Sequence, residues 1–226
     1  MVRIAVASCI HGDIENLMKF LDMVELIDFD IMVCPGDFTD FSTPKGFSRL
    51  DIGKIILEEL ESLGKPVLTV PGSWDADLIE FFKKEKVNAH GEGKKVGGIG
   101  FYGYGGAKTP FNTPFEPSEG EIELGLEKSY SEVKNTEVKV QITHAPPNGT
   151  KLDVIASGAH VGSHAVRDFI ESKRPLAAIC AHIHESRGVD ELGGTKIINS
   201  GRFSEGHLGL IDINDSRATA KVTNLI

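Results

Sequence analysis

Five residues of this 226-residue chain are good metal ligands, and each stands just past a short apolar run: His11, Asp37, His144, His182 and His184. Cys9-Ile10-His11-Gly12 follows the first run, Pro35-Gly36-Asp37 the second and Pro71-Gly72-Ser73 the third. Thr143-His144-Ala145-Pro146-Pro147 and Ala181-His182-Ile183-His184 come much later. In α/β folds ligands bind at the carboxyl ends of strands, so side chains far apart in sequence converge there on one metal centre. Taken singly, the signals are unequal. Gly36-Asp37 alone also reads as an ordinary strand-to-loop turn. His182 and His184, two apart, would face opposite ways within a strand, although a loop past the strand's end can turn both inward. The prolines after His144 end its strand and leave the histidine at the tip.

The elements that must position these groups begin as an alternation of strand and helix. Residues 3–7 read as a strand, 14–26 as a helix capped by Asp13, and 31–34 as a buried strand. Asp51 opens the next helix, which stops at Gly64, and Pro66 precedes a strand over 67–70. Asp75 is expected to cap a helix through Phe82. Such alternation implies parallel strands joined by crossover helices. From Val96 the texture turns to Gly-rich hairpins, with a strand over 99–104 and an irregular loop over 107–117. Ser118 and Glu121 form a capping-box pattern for a helix to about Lys134. Residues 138–143 and 177–180 are strands that deliver the late histidines, and Gly162-Ser163 starts a helix. Two hairpins, turning at Gly193-Gly194 and near Asn214-Asp215, complete the chain. Parallel units followed by antiparallel hairpins suggest two mixed sheets packed face to face with helices outside.

With 40% hydrophobic residues the chain is long enough for one large core, and a split between Cys9 and His184 would break the site, so residues 1–226 read as a single domain. No apolar window approaches the roughly 18 residues of a membrane span, and the N-terminus enters a strand at Val2 without a signal-like stretch. A cytoplasmic protein without a membrane partner is expected. Cys34 and Cys180 follow apolar runs and read as reduced core residues. A net charge of −9 leaves little attraction for duplex nucleic acid, which is held through Lys and Arg contacts to phosphate. A small phosphate ester remains open as substrate, because a metal cation supplies locally the positive charge the surface lacks.

In order and local wording the ligand blocks resemble the calcineurin-like metallophosphoesterases, and the resemblance covers nearly the whole chain. It implies an α/β (α+β) fold, a four-layer α/β/β/α sandwich of two mixed sheets flanked by helices. It also implies two divalent metal ions. The first would take Cys9, His11, Asp37 and His184, and the second Asp37, Ser73, His144 and His182, with the Asp37 carboxylate bridging. A water activated between the ions held by Asp37 would attack phosphorus, while the metals and nearby imidazoles, His144 among them, take up the developing charge. Cys9 stands where this family has an Asp, and Ser73 where it has an Asn. For Cys9 two readings stay open, a small hydrophobe in place of a lost ligand and a thiolate ligand, the latter favouring Zn or Fe over Mn. Trp74 stands where many members have a His that protonates the leaving alkoxide. Indole cannot do so, and substrates with good leaving groups are expected.

Beyond the ligands, Asp13 and Asp40 read as capping and loop residues that can also steady the imidazoles. His160, Ser163 and the flanking helix N-terminus are expected to contact the substrate phosphate, as is Arg202. His90 and His207 read as ordinary surface or turn residues. The loop over 108–115 is expected to shape the pocket or to contact a partner. Two functions follow: a metal-dependent phosphoesterase acting on a small diester or monoester, or a non-catalytic binding module on the same fold, as the retromer subunit of this family is. The oligomeric state is open, a homo-oligomer included.

Overall fold

The structure, a computed structural model, describes all residues from Met1 to Ile226. Strands β1 (Val2–Val6), β2 (Ile31–Cys34) and β3 (Val67–Thr69) lie parallel, connected by helices α1 (Ile14–Val24) and α2 (Arg49–Ser62). Helix α3 (Ile79–Lys84) follows β3. The second sheet is built from β4 (Lys94–Val96), β5 (Ile99–Tyr104), β6 (Val138–Thr143), β7 (Ala177–Cys180), β8 (Gly188–Leu192) and β9 (Thr195–Asn199), with α4 (Glu119–Val133) and α5 (His164–Lys173) as crossovers. Its order is β4-β5-β6-β7-β9-β8, parallel through its four central strands and antiparallel at both edges. The last hairpin, β10 (His207–Asn214) and β11 (Arg217–Asn224), returns to the first sheet and pairs antiparallel with β1, giving β11-β10-β1-β2-β3.

The period-2 rule for strands explains the layering. Ile4, Val6, Ile31, Val33 and Leu68 point into a core shared with Phe101, Val140, Ile142, Ile179 and Ile198 of the other sheet. The alternate residues Ala5, Met32 and Cys34 face α1 and α2, meeting Leu17, Phe20 and Ile56. On the far side, Tyr102, Ala178 and Ile197 meet Leu126, Phe169 and Ile170 of α4 and α5. Strands buried on both faces read as unbroken apolar runs, and this produces the expected four layers. In α1 the buried positions are Leu17, Phe20, Leu21 and Val24, a single helical stripe whose burial stabilises by about 1.5–3 kcal/mol per large side chain.

Capping agrees with the sequence at Asp13, whose carboxylate accepts from the Asn16 N–H, and at the Ser118/Glu121 box. Two helix starts differ from expectation. α2 opens at Ser48, and Asp51 is the partner of that capping box instead of the cap, because its carboxylate reaches back to the Ser48 N–H at 2.9 Å. Asp75 makes no cap bond to the turn that follows it, its carboxylate being engaged elsewhere. His90 and His207 also differ. His90 Nδ1 accepts from the Gly105 N–H at 3.0 Å with the ring packed at a 42° tilt, 4.1 Å from Tyr104, and burial lowers its pKa to about 4. His207 is buried at the start of β10. No helix is long and apolar enough to cross a membrane.

Candidate metal centre

The loops after β1, β2, β3, β6 and β7 meet at one end of the sandwich and are joined past the ends of their strands. Cys9 N–H donates to the Gly36 carbonyl at 3.2 Å, His11 N–H to Asp37 at 2.9 Å and Gly12 N–H to Phe38 at 2.8 Å. On the second sheet Ala181 N–H donates to the His144 carbonyl at 3.0 Å. Four residues in these loops hold positive φ despite carrying side chains: Cys9 (59°), His11 (53°), Asp37 (56°) and His182 (72°). Each such conformation costs on the order of 1–3 kcal/mol and persists where the surroundings over-determine it, as at functional sites. The left-handed turn at His182 resolves the i, i+2 question, since it lies beyond β7 and lets His182 and His184 both face the centre.

Two glycines permit the convergence. A Cβ on Gly72 would stand 2.1 Å from the Asp37 nitrogen and 2.2 Å from its Oδ1, and one on Gly36 2.5 Å from the Gly72 nitrogen. Asp75 then ties these loops together. Its buried carboxylate accepts from the Phe38 N–H (3.0 Å), the Thr39 N–H (2.9 Å), the Gly72 N–H (2.8 Å) and the Thr39 hydroxyl (2.9 Å). Sequence reasoning missed this role because three of the donors are backbone groups, which leave no residue-type signal.

The donor atoms form two clusters. Cys9, His11 and His184 bring one ligand atom each within 4.8 Å of one another, and so do Asp37, His144 and His182. Asp37 links them: its Oδ2 is 3.2 Å from His144 Nε2 and 3.9 Å from His11 Nε2. His11 Nε2 and His184 Nε2 face each other at 3.4 Å. His144 Nε2 is buried and lacks an aligned hydrogen-bond partner, while its Nδ1 lies 2.8 Å from the Pro35 carbonyl. A donating Nδ1–H fixes the tautomer that leaves the Nε2 lone pair toward Asp37. His182 Nε2 is 3.2 Å from the Lys108 carbonyl, which orients that ring in the same way.

Electrostatics favours a cation here. Burial opposes ionisation of Asp37, but the neighbouring His144 overrides it and holds the carboxyl below its usual range; burial likewise acts to lower His144, and the Asp37 charge outweighs it and raises the imidazole's pKa. Burial lowers His182 and His184 to about 4, helped by His144 and His11 respectively, so both present neutral imidazoles at pH 7. Burial and the Asp37 charge push the Cys9 thiol up, so Cys9 ligates only by losing its proton to an incoming metal. One carboxylate, four imidazoles and a thiol converging on common space, with a buried nitrogen unpaired, fit a pair of divalent cations.

The other expected site residues are placed unevenly. Ser73 is buried at the cavity wall, its hydroxyl 3.3 Å from the Ala107 carbonyl. Asp40 approaches His11 Nδ1 at 3.8 Å. Arg202 adds, behind burial and His11, to the lowering of the His184 pKa, and its Nε is buried without a partner, but it does not line the cavity. Ser163 caps α5 but is not brought to the cavity: its hydroxyl donates to Glu119 at 2.7 Å, and Glu119 also accepts from the Ala165 N–H, so a carboxylate of the protein itself already occupies that helix N-terminus. His160 is held by the buried Asp153 at 2.7 Å and is likewise absent from the cavity lining. Both corrections have one cause, an acidic partner that the local helix-start pattern does not reveal. The cavity over the centre measures about 680 Å³, and Lys108, Thr109, Pro110, Phe111 and Thr113 line it, so the 108–115 loop does shape the pocket.

The sequence model described as calcineurin-like phosphoesterase matches residues 2–186. An uncharacterised protein of Methanocaldococcus jannaschii is 36% identical, the match covering 84% of each chain. Among solved structures, a Thermus thermophilus protein (22% identity, TM-score 0.75, covering 100% of this chain and 99% of that one) shares the fold. So does a dimetal phosphatase from Danio rerio (12% identity, TM-score 0.65, covering 100% and 96%).

Proposed function

Because this chain belongs to the calcineurin-like phosphoesterase family, we propose that it hydrolyses a small phosphate ester, a diester or an activated monoester, at a centre holding two divalent cations. The observation that carries this reading is the pair of donor clusters joined by Asp37 at 3.2 and 3.9 Å. Cys9, His11 and His184 would hold one ion and His144 and His182 the other, with Asp37 between them. Bound cations supply an acidified water and positive charge facing the phosphoryl oxygens. The thiol and imidazoles of the first cluster suit zinc or iron.

The remaining chemistry belongs to the chain. The Trp74 N–H, 3.2 Å from Asp37 Oδ1, and the Pro35 carbonyl on His144 hold the carboxylate and the imidazole in fixed orientations. Lys108 at the cavity wall supplies a cation for the ester's phosphate. Trp74 lines the cavity, and its indole N–H is far too weakly acidic to protonate a leaving alkoxide near neutral pH, so good leaving groups are preferred. The three cysteines are all unpaired thiols, which supports a reducing, cytoplasmic setting.

The test is metal analysis of protein purified without chelators, followed by turnover of chromogenic mono- and diesters. About two equivalents per chain, falling by one in Cys9→Ala, and turnover above a metal-only control are expected. Full metal loading without turnover refutes the enzyme and favours a binding module, for which the exposed Phe41 and Phe111 near Trp74 offer an apolar surface.

A further inference from the structure

The cavity above the centre is unusual for a phosphate site in what its walls contain. Beyond the metal-ligand residues, Trp74, Pro110, Phe111, Ile155, Val161 and Ile183 line it with apolar side chains. The charged side chains at these walls are one lysine, Lys108, and one carboxylate, Glu185. A polyphosphate or a second phosphate would need further cations, and none besides Lys108 lines the cavity. At about 680 Å³ the space lies within the range of small-molecule sites.

Trp74 is built as a fixed platform. Phe41 meets its ring edge-on at 6.0 Å, and the Arg49 guanidinium sits 5.8 Å from its centroid. Arg49 is anchored in turn by the Asp40 carbonyl at 3.2 Å and by Asp77 at 3.7 Å, which removes it from the count of cations free for phosphate. The Trp74 backbone N–H bonds Asp37, so the indole begins next to the donor clusters. Phe111, 76% exposed, continues the same wall.

We propose that the natural ester carries a single phosphate bearing a flat aromatic substituent, which packs against Trp74 and Phe111 while the phosphate faces the donor clusters. This rests on the phosphoesterase reading above and names its substrate class. Burial of a ring face against an aromatic wall discriminates between substrates of equal phosphate chemistry.

Diesters that share 4-nitrophenolate as leaving group and differ only in the second substituent test this without changing leaving-group acidity. With metal-loaded protein, kcat/KM should rise about tenfold or more from methyl to phenyl, the gain expected for an aromatic contact plus burial of one ring face. A cyclohexyl substituent should fall between them. Trp74→Ala and the exposed Phe111→Ala should each shrink the phenyl-to-methyl ratio. Trp74 is the only tryptophan, so its fluorescence reports binding independently of turnover. Phenylphosphonate should perturb the emission and bind about tenfold tighter than methylphosphonate. Equal binding of phenylphosphonate and methylphosphonate overturns the aromatic assignment and leaves the phosphoesterase reading standing. Absence of turnover with every diester, alongside a clear phenylphosphonate preference, overturns the phosphoesterase reading and keeps the aromatic site.

Discussion

Replacing Asp75 with Asn changes one oxygen to an amide nitrogen in a site built wholly of donors. Oδ1 accepts from the Thr39 N–H and hydroxyl, and Oδ2 accepts from the Phe38 and Gly72 N–H groups, at 2.8–3.0 Å. The amide keeps one of these pairs and turns its own NH2 toward the other, leaving two donors facing a donor in a fully buried place. Each unsatisfied buried donor costs about 1–3 kcal/mol, a loss of roughly 2–6 kcal/mol. Part of this is offset, because burial first and the Asp37 charge second already raise the Asp75 pKa, so the ionised side chain is held at a cost.

The net expectation is a loss of about 2–3 kcal/mol, or about 5–10 °C in Tm for a chain of this length. Urea unfolding followed by circular dichroism, on chelator-treated protein so that bound metal does not mask the difference, measures it. Asp75→Asn protein within about 0.5 kcal/mol of the wild type would refute the claim that this carboxylate ties the Asp37 and Ser73 loops together.

Three further outcomes follow from the same geometry. Gly72→Ala places a Cβ 2.1 Å from the Asp37 nitrogen and 2.2 Å from its carboxylate, so the Asp37 loop must shift; metal content should fall by at least one equivalent, checked by elemental analysis of the purified variant. Trp74→His introduces a proton donor at the cavity wall; turnover of alkyl esters should gain on that of 4-nitrophenyl esters by about 100-fold, read as a ratio of kcat/KM values. Burial opposes the ionisation of Asp153, but its bonds to His160 and to the Gly162, Gly149 and Thr150 N–H groups outweigh that and lower its pKa. A depressed carboxyl stabilises the fold above its unfolded value of 3.8 and loses that contribution as pH falls through its folded value. Unfolding free energy measured from pH 7 down to pH 3 should therefore decline less steeply in Asp153→Asn than in the wild type.

The sequence by itself determined the architecture and nominated the candidate donors. Runs such as residues 31–34 and 177–180 are apolar at every position because both faces of their strands are buried, and the helix between two such runs fixes them as parallel. That pattern placed His11, Asp37, His144, His182 and His184 at strand ends. It also read Asp13 and Ser118 correctly as caps, because capping is a local interaction within four residues. Only the tertiary structure decided what nonlocal partners do. Asp75 and Ser163 carry the same helix-start signal as Asp13, yet the Asp75 carboxylate is taken by backbone donors 36 and 37 residues away and the Ser163 hydroxyl proton by Glu119, 44 residues away. Which wall Trp74 and Phe111 form, how closely Gly72 lets the Asp37 loop approach, and that Cys9 lies beside His11 and His184 likewise depend on the packing of two sheets. Local pattern reports the backbone's own needs; a site assembled from five loops is set by distances between segments, and those exist only once the sheets have packed.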